Sequence, residues 1–130
     1  MNNYNFRGKI VGQKKWAYGF FLEDRKITEC KIRYYIRVKD IDDYYFHCEV
    51  LPETVGQWTG LKDKNGKEIY EGDIVEITQG EATCKREVIF RTAMFALRRD
   101  DMAIWICNVL PKDMEVVGNI HDNLELLEAK

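Results

Sequence analysis

Apolar and polar residues alternate one for one along much of this chain. Between Cys30 and Val38, the residues Cys30, Ile32, Tyr34, Ile36 and Val38 fall on one face, and Lys31, Arg33, Tyr35 and Arg37 on the other. A period of two is the spacing of a strand, whose successive side chains point to opposite sides of a sheet. The pattern therefore predicts a long strand, apolar inside and basic outside. Asp40-Ile-Asp-Asp43 then supplies a turn, after which Tyr44, Phe46, Cys48 and Val50 alternate with Tyr45, His47, Glu49 and Leu51. Two such runs joined by an Asp-rich turn predict an antiparallel hairpin.

Further short strands are predicted over Trp16–Leu22, after the turn-prone Gly12-Gln-Lys, and over Ile74–Thr78, Lys85–Arg91, Phe95–Arg99 and Ile104–Cys107. The links Glu81–Thr83 and Asp100–Met102 are short enough to make sequence neighbours into sheet neighbours. Only the end departs from the pattern, where Asp122 with Glu125 three residues on reads as a capped helical turn carrying Leu124, Leu126 and Leu127. The fold class expected is mainly β, with small antiparallel barrel-like sheets, for which an SH3-like arrangement is one version, and a short C-terminal helix. At 130 residues the chain is one domain in length. Pro52 marks a seam between two β subdomains, 1–51 and 52–130.

The stretch from Thr54 to Ile77, TVGQWTGLKDKNGKEIYEGDIVEI, is rich in glycine. Asn65-Gly66 between charged flanks predicts a hairpin with a type I′ turn between Leu61 and Ile69. Glu71-Gly72-Asp73 leads into another alternating strand; glycine permits the bend, and the Asp carboxylate is expected to bond backbone N–H groups two residues on. Gly56 and Gly60 bracket Gln57-Trp58-Thr59, the mark of a bulged or closely approached strand. The spacing fits neither a dinucleotide fingerprint nor a phosphate loop.

Charge narrows the function classes. Twenty basic residues stand against 22 acidic ones, for a net charge of -2, so no general electrostatic grip on nucleic acid is expected. A local basic face remains open: Lys31, Arg33, Tyr35 and Arg37, with Lys39 beyond, mix cations with an aromatic ring on one strand face. That is a combination able to neutralise phosphates and stack bases. Lys85-Arg86 and Arg98-Arg99 would extend it. No apolar run approaches a membrane span, and the start lacks the apolar core of a signal peptide. A cytoplasmic protein without membrane contact is expected. Cys30, Cys48, Cys84 and Cys107 are scattered singly and read as small buried residues rather than as metal ligands.

Catalytic chemistry finds little footing. The chain has no serine, and its two histidines, His47 and His121, have no histidine partner at metal spacing. His47 and Cys48 are adjacent on a strand and so face opposite ways, which removes a Cys–His pair. Asp42-Asp43 and Asp100-Asp101 read as solvated turns. Glu71 and Asp73 could in principle hold a cation or share a proton, but turn stabilisation is the simpler role. No catalytic residue, metal site or cofactor is expected.

Three blocks are similar to one known family. Phe6-Arg-Gly-Lys9 with Trp16-Ala-Tyr-Gly19, PETVGQWTGLKDKNGKEIYEGDIV from Pro52 to Val75, and VVGNIHDNLELLE from Val116 to Glu128 resemble, in order, the opening, centre and close of the YopX family of phage and prophage proteins. Trp58 stands where that family has tyrosine, and His121-Asp122 where it has Tyr-Glu. The resemblance implies a phage or prophage protein of mainly β fold, in a bacterial cytosol, with no established activity. The expectation is a non-enzymatic protein-interaction or accessory module. It would self-associate or bind a phage or host protein through Gln57, Trp58, Thr59, Glu71 and Asp73. The alternative is a nucleic-acid-binding module using Lys31, Arg33, Tyr35 and Arg37. Self-association is motivated by the long strand Cys30–Val38, whose edges could pair with a second chain.

Overall fold

Among the residues described by the computed structural model, 5–26 and 31–128, eleven strands precede one short helix. They are β1 (Phe6–Lys9), β2 (Trp16–Lys26), β3 (Lys31–Lys39), β4 (Tyr45–Glu49), β5 (Gly56–Lys62), β6 (Glu68–Tyr70), β7 (Asp73–Gln79), β8 (Ala82–Arg91), β9 (Met94–Arg99), β10 (Met102–Trp105) and β11 (Met114–Asn119). Helix α1 covers Glu125–Glu128. The protein is mainly β, with antiparallel sheets, as the alternation predicts. Two compact units divide it, Met1–Trp58 and Thr59–Lys130, so the seam lies within β5, downstream of Pro52.

In the first unit the strand order is β4-β3-β2-β1, with the start of β5 beside β1. The β3–β4 hairpin is closed by Asp40, whose carboxylate accepts the N–H groups of Asp42 and Tyr44, both at 2.9 Å. The sheet curls on itself: an isolated bridge joins Ile10 to Val50, Leu51 N–H donates to the Lys9 carbonyl at 2.9 Å, and Val11 N–H to that of Glu49 at 3.0 Å. Thr54 pins this return, accepting Lys9 N–H at 2.8 Å and donating to the Leu51 carbonyl at 2.6 Å. Ala17, Ile36 and Val50 form the buried centre, with Phe6, Phe21 and Tyr34 around it. The curl leaves no room at Gly19, where a Cβ would run into the carbonyl oxygen of Arg37.

In the second unit a five-stranded sheet has the order β10-β9-β8-β7-β11, and β6 pairs with the end of β5. Its core is Ile69, Val75, Ile77, Val88, Leu97, Ile106, Val109 and Met114. Val75, Ile77, Val88 and Leu97 are inward positions of strands the period-two pattern foresees, whereas Met114 lies on β11, which it does not foresee, and Ile106 and Val109 lie outside the strands. Two local expectations are corrected. The strand anticipated over Ile104–Cys107 stops at Trp105, and Ile106–Asn108 forms a 3₁₀ turn that buries Ile106. The Asn65-Gly66 turn is not type I′, because Gly66 has φ +82° while Asn65 is not among the residues at positive φ. Gly66 N–H bonds back to the Asp63 carbonyl at 3.0 Å, so a single glycine in the left-handed region closes the hairpin.

Candidate functional site

Pairing across β2, β3 and β4 assembles an outer face in the first unit. Arg37 stands between Phe20 of β2 and His47 of β4, and Tyr35 between Leu22 and Glu49. The Arg37 guanidinium lies 4.0 Å from the ring centre of exposed Tyr45, a cation–π contact. Rings of Tyr35 and His47 approach to 6.1 Å. Arg37 makes no ion pair among the described residues, whereas Lys39 is held 3.1 Å from Asp43. That contact and the charge of Asp43 raise the Lys39 ammonium above its ordinary pKa. Arg33 lies opposite Asp24 in register. The side chain of Lys31 lies outside the described residues. The predicted basic stripe is thus shared with carboxylates, and its aromatic neighbours come from strands on both sides.

The long strand expected to offer a pairing edge is not an edge. β3 is bonded to β2 on one side and to β4 on the other, so the unpaired margin belongs to β4. The hydrogen bonds define which groups are open. Asp40 N–H meets the Tyr44 carbonyl at 2.8 Å and Val50 N–H the Tyr34 carbonyl at 2.9 Å, so even-numbered residues of this hairpin arm turn their main chain toward β3. Tyr45, His47 and Glu49 turn theirs away. Val11 takes the Glu49 carbonyl, and no hydrogen bond among the described residues reaches the main-chain groups of Tyr45 and His47. Large apolar side chains crowd this margin: Ile41 is 97% exposed, Tyr44 72% and Phe46 48%.

Beneath the same strand lies an apolar cavity of about 260 Å³, open to solvent and lined by residues that include Ile10, Trp16, Ala17, Val38, Phe46 and Cys48. Cys48 therefore faces the inside of the curled sheet while His47 faces outward with Tyr35, and the two do not meet, as their adjacency on a strand requires. Burial pushes the Cys48 thiol up. Cys30 lies outside the described residues. The expectation of buried cysteines is met only in part: Cys48 and Cys84 are half-buried and Cys107 is exposed, since the 3₁₀ turn at Ile106 rotates Cys107 out of the strand pattern.

The central stretch sorts into anchors and surface. Thr59 Oγ1 donates to the Ile69 carbonyl at 2.8 Å and accepts Leu61 N–H at 3.2 Å, tying β5 to β6. Asp73 is only 1% exposed and accepts Tyr70 N–H, three residues back, at 2.7 Å. Its carboxylate has no surface to offer a partner. Glu71 is half-buried. Gln57 is exposed opposite Phe6, and the half-buried Trp58 keeps its indole N–H buried without an acceptor, while its own main-chain N–H meets the Asn5 carbonyl at 2.8 Å. Gln57 and Trp58 belong to the first unit; Thr59, Glu71 and Asp73 belong to the second.

Sequence reasoning passed over Asp63. It is 6% exposed, and its carboxylate accepts three backbone N–H groups, from Asn65, Lys67 and Val116, each at 2.9 Å. Burial pushes this carboxyl up, but those three donors and the Lys67 charge outweigh it and hold its pKa below the ordinary value. The spacing Asp63-Lys-Asn-Gly66 carried half of this signal, an Asp bonding the turn it opens; the bond to Val116 had none. Near the end, Asn119 Oδ1 accepts the N–H groups of His121 and Asp122, both at 2.9 Å, and shapes the approach to α1. Lys85 and Arg98 meet Glu76 and Glu87 at 3.8 and 3.0 Å. Among the described residues no His, Cys, Asp or Glu side chains gather as a metal-binding group, and no helix is long and apolar enough to cross a membrane.

The family model described as YopX protein matches residues 5–128. Protein EF1440 from Enterococcus faecalis has a crystal structure that superposes with a TM-score of 0.57 at 25% identity, over 95% of this chain and 96% of that one. The crystal structure of protein yopX from Bacillus subtilis superposes with a TM-score of 0.58 at 21% identity, over 97% and 98%. No curated protein matches by sequence.

Proposed function

The chain belongs to the YopX family, and on that footing we propose that it is a non-enzymatic protein-interaction or accessory module of phage or prophage origin, acting in the cytosol of a bacterial host. The observation that carries this reading is the open margin of β4, with exposed Tyr44 and Phe46 beside the outward main chain of Tyr45 and His47. An unpaired edge is a template for another strand: its N–H and C=O groups supply affinity and the neighbouring side chains supply specificity. Support for a non-enzymatic role comes from how the polar residues of the central stretch are used. Thr59, Asp63 and Asp73 bond backbone groups of their own fold. The test is a tagged pull-down from infected or lysogenic cells, with and without nuclease, using the natural chain and His47→Pro. Proline at an edge position removes one outward N–H and leaves the β3–β4 ladder intact. Protein capture that survives nuclease and is lost in His47→Pro is the expected result; capture indifferent to the substitution overturns the reading.

A second reading is favoured by a different observation, the unpaired cation Arg37 held over Tyr45 with Phe20 and Tyr35 alongside. Here the face carrying Lys31, Arg33, Tyr35 and Arg37 binds single-stranded nucleic acid, by stacking and phosphate contact. Labelled single-stranded DNA would then shift at about 50 mM salt and lose affinity steeply as salt rises. Arg37→Ala would weaken the shift, and absence of any shift at low salt overturns this second reading.

A further inference from the structure

Resting on the interaction reading, we propose that the occupant of the β4 edge is a second copy of this chain, paired antiparallel about a twofold axis through Phe46. Three features converge on that register. Tyr45 and His47 are the β4 residues whose outward N–H and C=O groups are both open, since the Glu49 carbonyl is already taken by Val11 N–H. In an antiparallel ladder this two-residue set is self-complementary: Tyr45 of one copy meets His47 of the other, twice, making four hydrogen bonds. Shifting the register leaves at least one open group opposite one already bonded.

The same register solves the apolar surface. Side chains of an added strand alternate in step with those of its neighbour. Phe46 of the second copy therefore points to the same side as Phe46 of the first, over the apolar cavity of about 260 Å³. Apolar cavities of about 150 Å³ accept a benzene ring, so the space suffices for a phenyl side chain. The exposed Phe46 is thus both the lining of one cavity and the plug for its twin.

Charge completes the match. At the Glu49 end of the edge the chain adjoins Val11 and the turn that follows, which carries exposed Lys14 and Lys15. At the Tyr45 end lies the tip of the β3–β4 hairpin, where Asp42 and Asp43 are exposed, Asp43 already beside Lys39 of its own chain. Antiparallel pairing brings the acidic tip of each copy to the basic turn of the other, on both sides of the axis. A parallel arrangement would set tip beside tip and turn beside turn.

Light scattering on nuclease-treated protein at tens of micromolar tests this directly. The expected mass is near twice the 15.4 kDa of one chain, falling toward one chain as salt is raised. His47→Pro, and independently Phe46→Lys, should each weaken association at least tenfold while circular dichroism stays that of the natural chain. Lys14→Glu with Lys15→Glu should remain monomeric alone. With the four native cysteines replaced by alanine, Phe46→Cys should oxidise to a covalent dimer. Residues facing each other at a non-hydrogen-bonded position lie about 4.5 Å apart at Cα, within the reach of a disulfide. A cysteine at exposed Phe20 should not cross-link. A strict monomer overturns the second-copy assignment. If pull-down capture is still lost in His47→Pro, the edge-interaction reading survives that result with another protein as occupant. If capture is also indifferent to His47→Pro, both fall. A dimer that persists in His47→Pro and Phe46→Lys places the interface elsewhere and overturns the proposal, as does a mass that collapses only on nuclease treatment.

Discussion

Asp63→Asn is the sharpest single perturbation of this structure, because it keeps the size and shape of the side chain and replaces one acceptor oxygen by a donor. Oδ1 of Asp63 accepts Asn65 and Lys67 N–H, and Oδ2 accepts Val116 N–H, 53 positions along the chain. An asparagine retains the first two bonds through its carbonyl and turns its amide N–H₂ toward the N–H of Val116. One charge-assisted bond, about 1.5–3 kcal/mol, is lost, and a mostly buried N–H is left facing a donor. The expected destabilisation is about 2–3 kcal/mol, or roughly 8–15 °C in Tm for a chain of this size. Urea unfolding and thermal melting measure the total, and amide exchange at Val116 localises it. The pH dependence gives a second readout. The folded pKa of Asp63 lies below its unfolded value, so its contribution is fully present above about pH 4, the ordinary carboxylate range, and is lost as pH falls through the folded pKa. The natural chain should therefore lose its advantage over Asp63→Asn below that range. A Tm shift under about 2 °C at neutral pH, or an advantage that persists unchanged into strong acid, would refute the reasoning.

Other outcomes follow from packing and exposure. Leu97→Ala, at a fully buried site in the second core, should cost about 2–5 kcal/mol in chemical denaturation. Gly19→Ala should destabilise the first unit by about 1–3 kcal/mol or more, because the new Cβ meets the Arg37 carbonyl rather than a movable side chain; an unchanged melt would show that β2 and β3 are less close than described. Under iodoacetamide near neutral pH, exposed Cys107 should react well before Cys48, whose thiol is pushed up by burial. Mass mapping of the first adduct decides it, and association through β4 should slow Cys48 further.

Much of the fold is written in the alternation itself. Ile36 at the centre of one core and Arg37 beside it on the outer face need nothing beyond a period of two, because a strand sends neighbouring side chains to opposite sides wherever it sits. The same holds for the Asp40 turn, whose carboxylate bonds residues two and four ahead, and for the family assignment carried by the central block. What the sequence could not determine is which strands have two neighbours. Cys30–Val38 has the longest alternation and looks like the strand to pair, yet β3 is flanked on both sides, and the shorter, more aromatic β4 is left at the margin. That outcome depends on Val50 returning to Ile10 and on glycines letting backbones close up, contacts between residues tens of positions apart. Of the residues singled out, Asp73 and Thr59 proved to hold turns and strands together, and Asp63 went unseen because one of its partners lies on β11. Periodicity is a local property of the chain, whereas an edge, a cavity and a buried carboxylate's third donor exist only once distant segments are brought together, and the candidate interface is made of those.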